Sequence, residues 1–281
     1  MEYTELKPLV TEGKYLEGPR WHEGKLWFVD SLAMKLLRVS LTAECETVCR
    51  IPGIAGRLGF LPNGNPVFTS MFDRKLLTFA NGEVTTLQDL SNVAAGTIDD
   101  MIIDGQGRMY VGDLGFNLMQ GGSHDNGQII LVTANGNARV VARGLRFPNG
   151  IAVSEDGKRL VVAESDGNTL AEFSISEDGA LDSMRRFGSF TEPDGICLDC
   201  EGAVWTSIFQ EDAFARIDST GRVLDRISIK GRRAVACALG GDDRRTLFCI
   251  SAETTHEDLM RGKSNARIDT IRAEIPGAGF P

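Results

Sequence analysis

The sequence has no long hydrophobic run. Nowhere in its 281 residues do about 18 apolar residues follow one another, the length that a membrane-spanning helix needs. The first residues, MEYTELKPLVTEGKYLEG, also lack the basic start and apolar stretch of a secretion signal. We therefore expect a cytoplasmic protein that does not cross a membrane.

Positive charge is also scarce. The chain has 30 lysine and arginine residues against 39 acidic residues, a formal net charge of −9, and its basic residues cluster only in short groups such as DRR and GRR. A nucleic-acid partner is disfavoured, because phosphate backbones bind clustered basic side chains. A small neutral or cationic ligand, or a metal ion, suits this charge balance better.

Several motifs of catalysis and nucleotide binding are missing. The sequence contains no G-x-S-x-G, no G-x-G-x-x-G and no P-loop, which disfavours a serine nucleophile elbow and nucleotide binding. The histidines His22, His124 and His256 share no metal-ligand spacing, so we expect surface or supporting roles for them. The six cysteines are scattered, and the pair Cys197 and Cys200 has no second C-x-x-C, which predicts reduced, buried thiols.

The sequence does contain a repeat that occurs six times. Each copy is an apolar strand-like run, a turn rich in Gly, Asn or Asp, and a second strand-like run. The copies are GPRWHEGKLWFVDS, LGFLPNGNPVFTS, DMIIDGQGRMYVGD, NGIAVSEDGKRLVVAES, DGICLDCEGAVWTS and CALGGDDRRTLFCISAE. Equivalent positions lie 40, 42, 52, 43 and 43 residues apart, which leaves room for four short strands in each repeat.

The repeats predict an all-β fold, a six-bladed β-propeller. A four-stranded sheet of this size cannot bury both faces alone, whereas six sheets in a ring bury them against one another. We expect residues 6–14 to complete the blade formed by the last repeat, so that residues 1–281 form a single domain. Two stacked sandwich domains are the competing architecture, and even spacing without a linker disfavours them.

Oxygen-bearing side chains begin several copies of the repeat. At the predicted start of the innermost strands, where the central channel opens, the chain carries Glu17, Asp99, Asp100, Asn149 and Asp194. Gathered carboxylates repel one another unless a cation lies among them, so a divalent metal is one interpretation. Ordinary turn chemistry is the other, because Asn-Gly and Asp-Gly are common turn dipeptides. Prolines precede Asn149 and Asp194, and each favours extended backbone in the residue before it.

Five motifs together resemble a known family. LEGPRW, FPNGIAVSEDGKRLVVAES and EPDGICLDCEGAVW, with CALGGDDRRTLF and PGAGFP near the end, are similar to the regucalcin, gluconolactonase and luciferin-regenerating-enzyme family, also called the senescence-marker-protein family. The resemblance covers essentially the whole chain. It implies a six-bladed propeller with one divalent cation held by Glu17, Asn149 and Asp194. It also implies that Asp194 is the general base in lactone hydrolysis.

The sequence departs from that pattern at residues 97–100. Relatives that act on sugar lactones carry an arginine two residues before an Asn-Asp pair, whereas this chain has Thr97, Ile98, Asp99 and Asp100. We expect Asp99 and Asp100 to bind substrate, with direct metal binding by Asp99 as the alternative. An additional anionic group favours Ca²⁺, although Zn²⁺, Mn²⁺ and Fe²⁺ stay open.

The longest interval between repeats contains a second departure, the glycine-rich segment 112–128. An apolar pocket for a larger or aromatic lactone is predicted to be lined by Leu114, Phe116, Leu118, Met119, Phe72 and Phe209. A solvent loop without a functional role is the alternative interpretation.

The sequence thus predicts a metal-dependent lactonase. The ion would polarise the lactone carbonyl and activate water, and Asp194 would accept the proton. A calcium-binding regulatory protein without turnover is the alternative function. A scaffold or an enzyme similar to the strictosidine synthases is disfavoured, because those relatives lack the metal carboxylates. The lactone itself and the oligomeric state stay open.

Overall fold

The predicted propeller is confirmed. The computed structural model describes residues 6–279, and within them 24 strands form six antiparallel sheets of four strands each. In five sheets the strands follow one another along the chain from the innermost to the outermost. The innermost strands of neighbouring sheets pack on one another around a central channel.

Blades 1 to 3 come from the first half of the chain. Blade 1 contains β2 (Leu16–His22), β3 (Lys25–Asp30), β4 (Lys35–Val39) and β5 (Cys45–Arg50). Blade 2 contains β6 (Ala55–Phe60), β7 (Pro66–Ser70), β8 (Lys75–Ala80) and β9 (Glu83–Asp89). Blade 3 contains β10 (Ile98–Ile103), β11 (Met109–Asp113), β12 (Gly127–Val132) and β13 (Ala138–Leu145).

Blades 4 to 6 follow. Blade 4 contains β14 (Pro148–Val153), β15 (Arg159–Glu164), β16 (Thr169–Ile175) and β17 (Leu181–Phe187). Blade 5 contains β18 (Pro193–Leu198), β19 (Val204–Ile208), β20 (Ala213–Ile217) and β21 (Val223–Ser228), with a 3-10 turn at Phe209–Glu211. Blade 6 contains β22 (Arg233–Gly240), β23 (Thr246–Glu253) and β24 (Asn265–Arg272), with the short helix α1 (His256–Met260) before β24.

Both ends of the described chain meet in blade 6. Strand β1 (Lys7–Val10) pairs antiparallel with β24 and forms the outer edge of that sheet. The expectation that residues 6–14 complete the last blade is therefore confirmed. The pairing joins segments separated by most of the sequence and closes the ring.

The hydrophobic core lies between the blades. Six clusters of buried side chains occur, one at each interface between neighbouring blades. The interface between blades 3 and 4, for example, packs Tyr110 and Ile129 against Ile151 and Val162. Each sheet buries both faces in this way, which is why the strand sequences are apolar on two sides near the channel and polar only at the outer edge.

The cysteines are free but not uniformly buried. Cys237 and Cys249 are buried as predicted, whereas Cys45 and Cys200 are exposed. Cys45 lies in the outermost strand of blade 1, whose residues face solvent, so the expectation of buried thiols was wrong there. Within residues 6–279, no helix is long and apolar enough to span a bilayer.

Candidate active site in the central channel

A β-bulge opens the innermost strand in each of blades 1 to 5. In blade 4 the register skips between Pro148 and Ile151, so Asn149 and Gly150 together face one residue of the next strand. The same kind of skip occurs in β2, β6, β10 and β18. A bulge bends its strand and redirects the side chains at it. The side chains at or beside these bulges are the ones that meet in the channel.

The predicted oxygen residues meet around one cation, the guanidinium of Arg57. Arg57 Nη2 donates to Asp194 Oδ1 at 2.7 Å and to Asn149 Oδ1 at 3.0 Å. Arg57 Nη1 forms an ion pair with Glu17 Oε2. Its Nε lies 3.9 Å from Asp100 Oδ2. Side chains from blades 1, 3, 4 and 5 thus surround one arginine that blade 2 contributes.

Arg57 is buried and charged. Only 2% of its side chain is exposed. Burial lowers the pKa of the guanidinium, but Glu17, Asp194 and the neighbouring carboxylates raise it more, so this pKa lies well above its ordinary value. The guanidinium is therefore a permanent positive charge at the centre of the acidic cluster.

The carboxylates around Arg57 hold protons more tightly than usual. The pKa of Asp194 is raised to about 7, chiefly by burial; Arg57 opposes this rise, and the charges of Asp99 and Asp100 contribute to it. Burial likewise raises the pKa of Asp99 to about 6. The pKa of Glu17 is raised well above its ordinary value, again chiefly by burial. A carboxyl group that titrates near neutral pH suits a general base, and this holds for Asp194.

Asp99 and Asp100 are neighbours with different surroundings. Asp100 is buried, and its two carboxylate oxygens accept backbone N–H groups, one from Met101 at 2.6 Å and one from Ile151 at 2.7 Å. Arg20 Nη2 lies 3.6 Å from the same carboxylate. Asp99 is half-buried as a residue and is therefore less enclosed than Asp100. The geometry therefore suits Asp99 for substrate contact and Asp100 for joining blades 3 and 4.

Backbone strain marks the entry to blades 4 and 5. Phe147 and Glu192, each followed by a proline, have φ of 56° and lie in the left-handed region. The expectation of extended backbone at these two positions was wrong. The prolines start β14 and β18 directly before the bulges, and the turn into the strand needs the left-handed residue. Strained backbone of this kind is common beside functional sites.

The predicted metal ligands were tested against this geometry. Glu17, Asn149 and Asp194 offer hard oxygen donors of the kind that Ca²⁺ binds. All three, however, already contact the guanidinium of Arg57. A divalent ion about 4 Å from that charge would be repelled by about 8 kcal/mol at an effective dielectric constant of about 20. The three residues therefore do not fit a metal ion while Arg57 occupies this position.

The His, Cys, Asp and Glu side chains of the described residues offer no alternative metal site. Across residues 6–279, no group of three or more His, Cys, Asp and Glu side chains has an arrangement that could hold a metal ion. The predicted Ca²⁺ site, with Zn²⁺, Mn²⁺ or Fe²⁺ as alternatives, stays a prediction that requires Arg57 to move.

The segment 112–128 is fastened to the residues that lead into β10. Thr97 accepts a hydrogen bond from the backbone N–H of Leu118 through its hydroxyl at 3.0 Å. Thr97 and Phe116 are also joined by a backbone hydrogen bond of 2.9 Å. The two departures from the family pattern are therefore one structural unit, since the residue at position 97 anchors the longer loop beside Asp99.

The apolar pocket predicted from this segment is only partly present. Leu114, Phe116 and Phe209 are buried, so they do not face a ligand freely. Phe72 and Met119 are exposed, with 37% and 59% of their surface accessible. The predicted lining was wrong for Leu114, whose side chain is fully buried, and stays a prediction for Phe116 and Phe209, which are buried to the same degree as Asn149 and Asp194.

Two histidines that the sequence assigned to the surface stand beside the bulges of blades 4 and 5. His124 contacts the carboxylate of Asp166 and stacks on Phe116 at 4.3 Å between ring centroids. His256 Nε2 lies 3.0 Å from Glu192 Oε2. Asp166 follows Ser165, whose hydroxyl accepts a hydrogen bond from the amide of Asn149 at 3.2 Å. Both histidines are therefore placed near the entrance of the channel.

Tyr15 is a further residue of the site that sequence reasoning missed. Burial raises the pKa of its phenol well above the ordinary value, and the charges of Glu17 and Asp194 act in the same direction. The phenol therefore stays protonated at neutral pH and can donate a hydrogen bond near these carboxylates.

Arg57 is the most important residue that sequence reasoning missed. The second repeat was taken to start at Leu58, one residue too late to include it. Aligning blades 2 to 5 on the bulge sets AGRL, IDDM, PNGI and PDGI in one column and places Gly56 and Arg57 beside Asp99 and Asp100. That alignment was the signal that could have found the arginine.

Comparisons with known proteins agree with the predicted family and fold. The SMP-30/Gluconolactonase/LRE-like region matches residues 16–253. A 6-deoxy-6-sulfogluconolactonase of Pseudomonas putida is 27% identical over 288 aligned residues, which cover 98% of this chain and 97% of the relative. Pentonolactonase XacC of Haloferax volcanii is 25% identical, covering 84% of this chain and 81% of the relative.

A solved structure shows the same architecture. The calcium-binding protein regucalcin of Agrobacterium tumefaciens superposes with a TM-score of 0.82 at 20% identity, covering 98% of this chain and 95% of that one. The family's matched region spans β2 to β23 and so includes every residue that surrounds Arg57. The chain belongs to the SMP-30/gluconolactonase/LRE-like family.

Proposed function

We propose that this protein hydrolyses a lactone in the central channel, with Asp194 as the general base. The family and the two relatives named as lactonases support the reaction class. The observation that carries the proposal is the gathering of Asp194, Asn149 and Glu17 around one buried cation. Polar groups preorganised at the mouth of a channel are typical of a catalytic site.

The proposed chemistry is direct attack by water on the ester carbonyl. Asp194, whose pKa is about 7, accepts the proton of the attacking water. The carbon–oxygen bond of the ring then breaks, and the protonated Asp194 returns the proton to the leaving alkoxide. The products are a carboxylic acid and an alcohol on one open chain, and the acid then releases its proton to water and becomes a carboxylate. Because the predicted ligands do not fit an ion beside Arg57, no step is assigned to a metal.

The remaining residues have supporting roles in this proposal. Asn149 and Glu17 hold the guanidinium that orients Asp194. Asp99, the less buried of the two neighbouring aspartates, is assigned to substrate contact. Asp100 was predicted to bind substrate as well, but both of its oxygens accept backbone hydrogen bonds, so we assign it to the support of β10 and β14.

We further propose a lactone with an apolar part as the substrate. Thr97 stands where relatives that act on sugar lactones carry an arginine, so no guanidinium is available there to bind sugar hydroxyls. The hydroxyl of Thr97 accepts a hydrogen bond from the loop. The exposed side chains of Phe72 and Met119 offer apolar surface on the loops that follow β7 and β11. Comparing kcat/KM for gluconolactone with that for dihydrocoumarin tests the assignment. A strong preference for the sugar lactone would contradict it.

The reaction itself is tested by a lactone panel with two matched variants. Asp194→Asn removes the base without changing the size of the side chain, and we expect kcat to fall by about 10² to 10⁴. Asp182→Asn makes the same change at an exposed position of β17 and should leave kcat unchanged.

Two outcomes would count against lactone hydrolysis by this site. Full activity in Asp194→Asn would exclude Asp194 as the base. Calcium binding with no turnover on any lactone of the panel would instead support the regulatory function that the family resemblance leaves open.

A further inference from the structure

We propose that Arg57 takes the place of the divalent cation in this site, so that the chain assembles its cluster of oxygen ligands without a metal ion. The inference concerns the site described above. Only its consequence for catalysis rests on the proposed function. Arg57 is a positioning residue in this account: it holds Asp194 and Asn149 in place and does not itself react.

The contacts of Arg57 match those expected of a central ion. Its two terminal nitrogens contact oxygens from three different blades, those of Glu17, Asn149 and Asp194. A guanidinium presents several N–H donors in a fixed plane, so one side chain can bind three oxygen acceptors at once. One oxygen of each predicted metal ligand is thus already in contact with the guanidinium.

The backbone of Arg57 is fixed at this position. Its N–H donates to Thr69 Oγ1 at 3.1 Å, and Thr69 Oγ1 donates to the carbonyl oxygen of Asp99 at 2.8 Å. On the other side, a Cβ atom on Gly18 would lie 2.9 Å from the Cα of Arg57. Blades 1 and 3 therefore enclose the residue closely, and its side chain extends into the channel.

Blade 2 contributes a cation where other blades contribute oxygen ligands. In the bulge column, Gly56 corresponds to Asp99, Asn149 and Asp194, so blade 2 adds no oxygen side chain there. A Cβ atom on Gly56 would lie 2.6 Å from Asp99 Oδ1, which leaves no room for one. The next residue, Arg57, supplies positive charge to a cluster of four carboxylates instead.

Manganese binding tests the proposal without any substrate. Purified protein is treated with a chelator, dialysed and titrated with Mn²⁺ alone, and bound ion is measured by electron paramagnetic resonance. We expect the unmodified protein to bind no stoichiometric Mn²⁺. Arg57→Ala removes the guanidinium and frees three oxygens, and we expect it to bind one Mn²⁺ per chain with a Kd below about 100 μM.

Two further variants control the experiment. Arg57→Lys keeps a positive charge at the centre and should bind no Mn²⁺. Arg139→Ala removes an exposed arginine, which pairs with Asp178 at 2.7 Å on the outer surface, and should behave like the unmodified protein. If Arg57→Ala does not fold without metal, recovery of its thermal transition on adding Mn²⁺ supports the same conclusion.

The outcomes separate this inference from the proposed function. Stoichiometric Mn²⁺ binding by the unmodified protein would overturn it, and so would a folded Arg57→Ala that binds none. Lactone hydrolysis that persists in the chelator supports it, whereas hydrolysis abolished by the chelator and restored by metal overturns it. Absence of any lactone hydrolysis would reject the proposed function and leave the manganese result to decide the role of Arg57.

Discussion

Blades 3 and 4 carry different residues at the same bulge. Blade 3 has Asp99 and Asp100, and blade 4 has Asn149 and Gly150. Asp100 reaches across to blade 4 with its carboxylate and accepts the N–H of Ile151. At Gly150 a Cβ atom would lie 2.3 Å from the carbonyl oxygen of Asp194, so blade 4 meets blade 5 backbone to backbone. The repeat thus places a bulge at the same point of each blade. The residue at the bulge then determines whether a side chain or a close backbone contact joins that blade to the next.

Removing the carboxylate of Asp100 should have the largest effect. Asp100→Ala leaves two buried N–H groups without their acceptor and removes the carboxylate that lies 3.6 Å from Arg20, and we expect unfolding free energy to fall by about 3–5 kcal/mol. Asp99→Ala removes a half-buried carboxylate and should change stability by less than about 1 kcal/mol. Urea denaturation measures both, and equal losses would contradict the distinction between the two residues.

Filling the close contact in blade 4 should have the next largest effect. Gly150→Ala forces a methyl group against the carbonyl of Asp194, and we expect a loss of about 2–3 kcal/mol. Gly157→Ala is the control: no atom lies within 4 Å of its added Cβ, and only its φ of 67° is unfavourable, which costs about 1 kcal/mol. Thermal unfolding of both variants compares crowding with backbone strain.

The raised pKa of Asp194 predicts a pH dependence of stability. Because its folded pKa is about 7 against an ordinary 3.8, the native state binds this proton more tightly. The resulting stabilisation is present below about pH 4 and is lost as pH rises through about 7, by up to about 1.4 kcal/mol per pH unit. Denaturation of the unmodified protein and Asp194→Asn at pH 5 and pH 8 checks this, and identical slopes would contradict it.

Loosening the loop should have the smallest effect. Thr97→Val removes the hydroxyl that accepts the N–H of Leu118, and we expect a loss of about 1 kcal/mol. Because the loop lies beside Asp99, KM should rise more than kcat falls. Thr97→Ser keeps the hydroxyl and should retain both values. An unchanged KM in Thr97→Val would separate the loop from the site.

The fold could be predicted from the sequence because its repeats are regular. Each copy joins two strands by a short turn, and the intervals allow two more strands, which together fix a ring of six sheets. The pairing of β1 with β24 followed from the incomplete last repeat. These features depend on spacing and hydrophobic pattern, which a sequence displays directly.

The contents of the channel could be predicted only in part. The meeting of Glu17, Asn149 and Asp194 followed from their positions in the repeat. Arg57 did not follow, because the second repeat is recognised by its apolar pattern only from Leu58 onward, one residue beyond the arginine. The burial of Phe116 was also missed, because loop packing depends on contacts between segments far apart in sequence.

The pairing of β1 with β24 determines when the ring can close during synthesis of the chain. Residues 7–10 are synthesised before the other strands of the ring, yet their partner strand is complete only once Arg272 has been synthesised. Glu17 and Arg57 can meet early, because blades 1 and 2 are neighbours in the chain. Asp194, in blade 5, can contact them only when the ring closes. The acidic groups of the nascent chain therefore stay apart until the last strand has been synthesised.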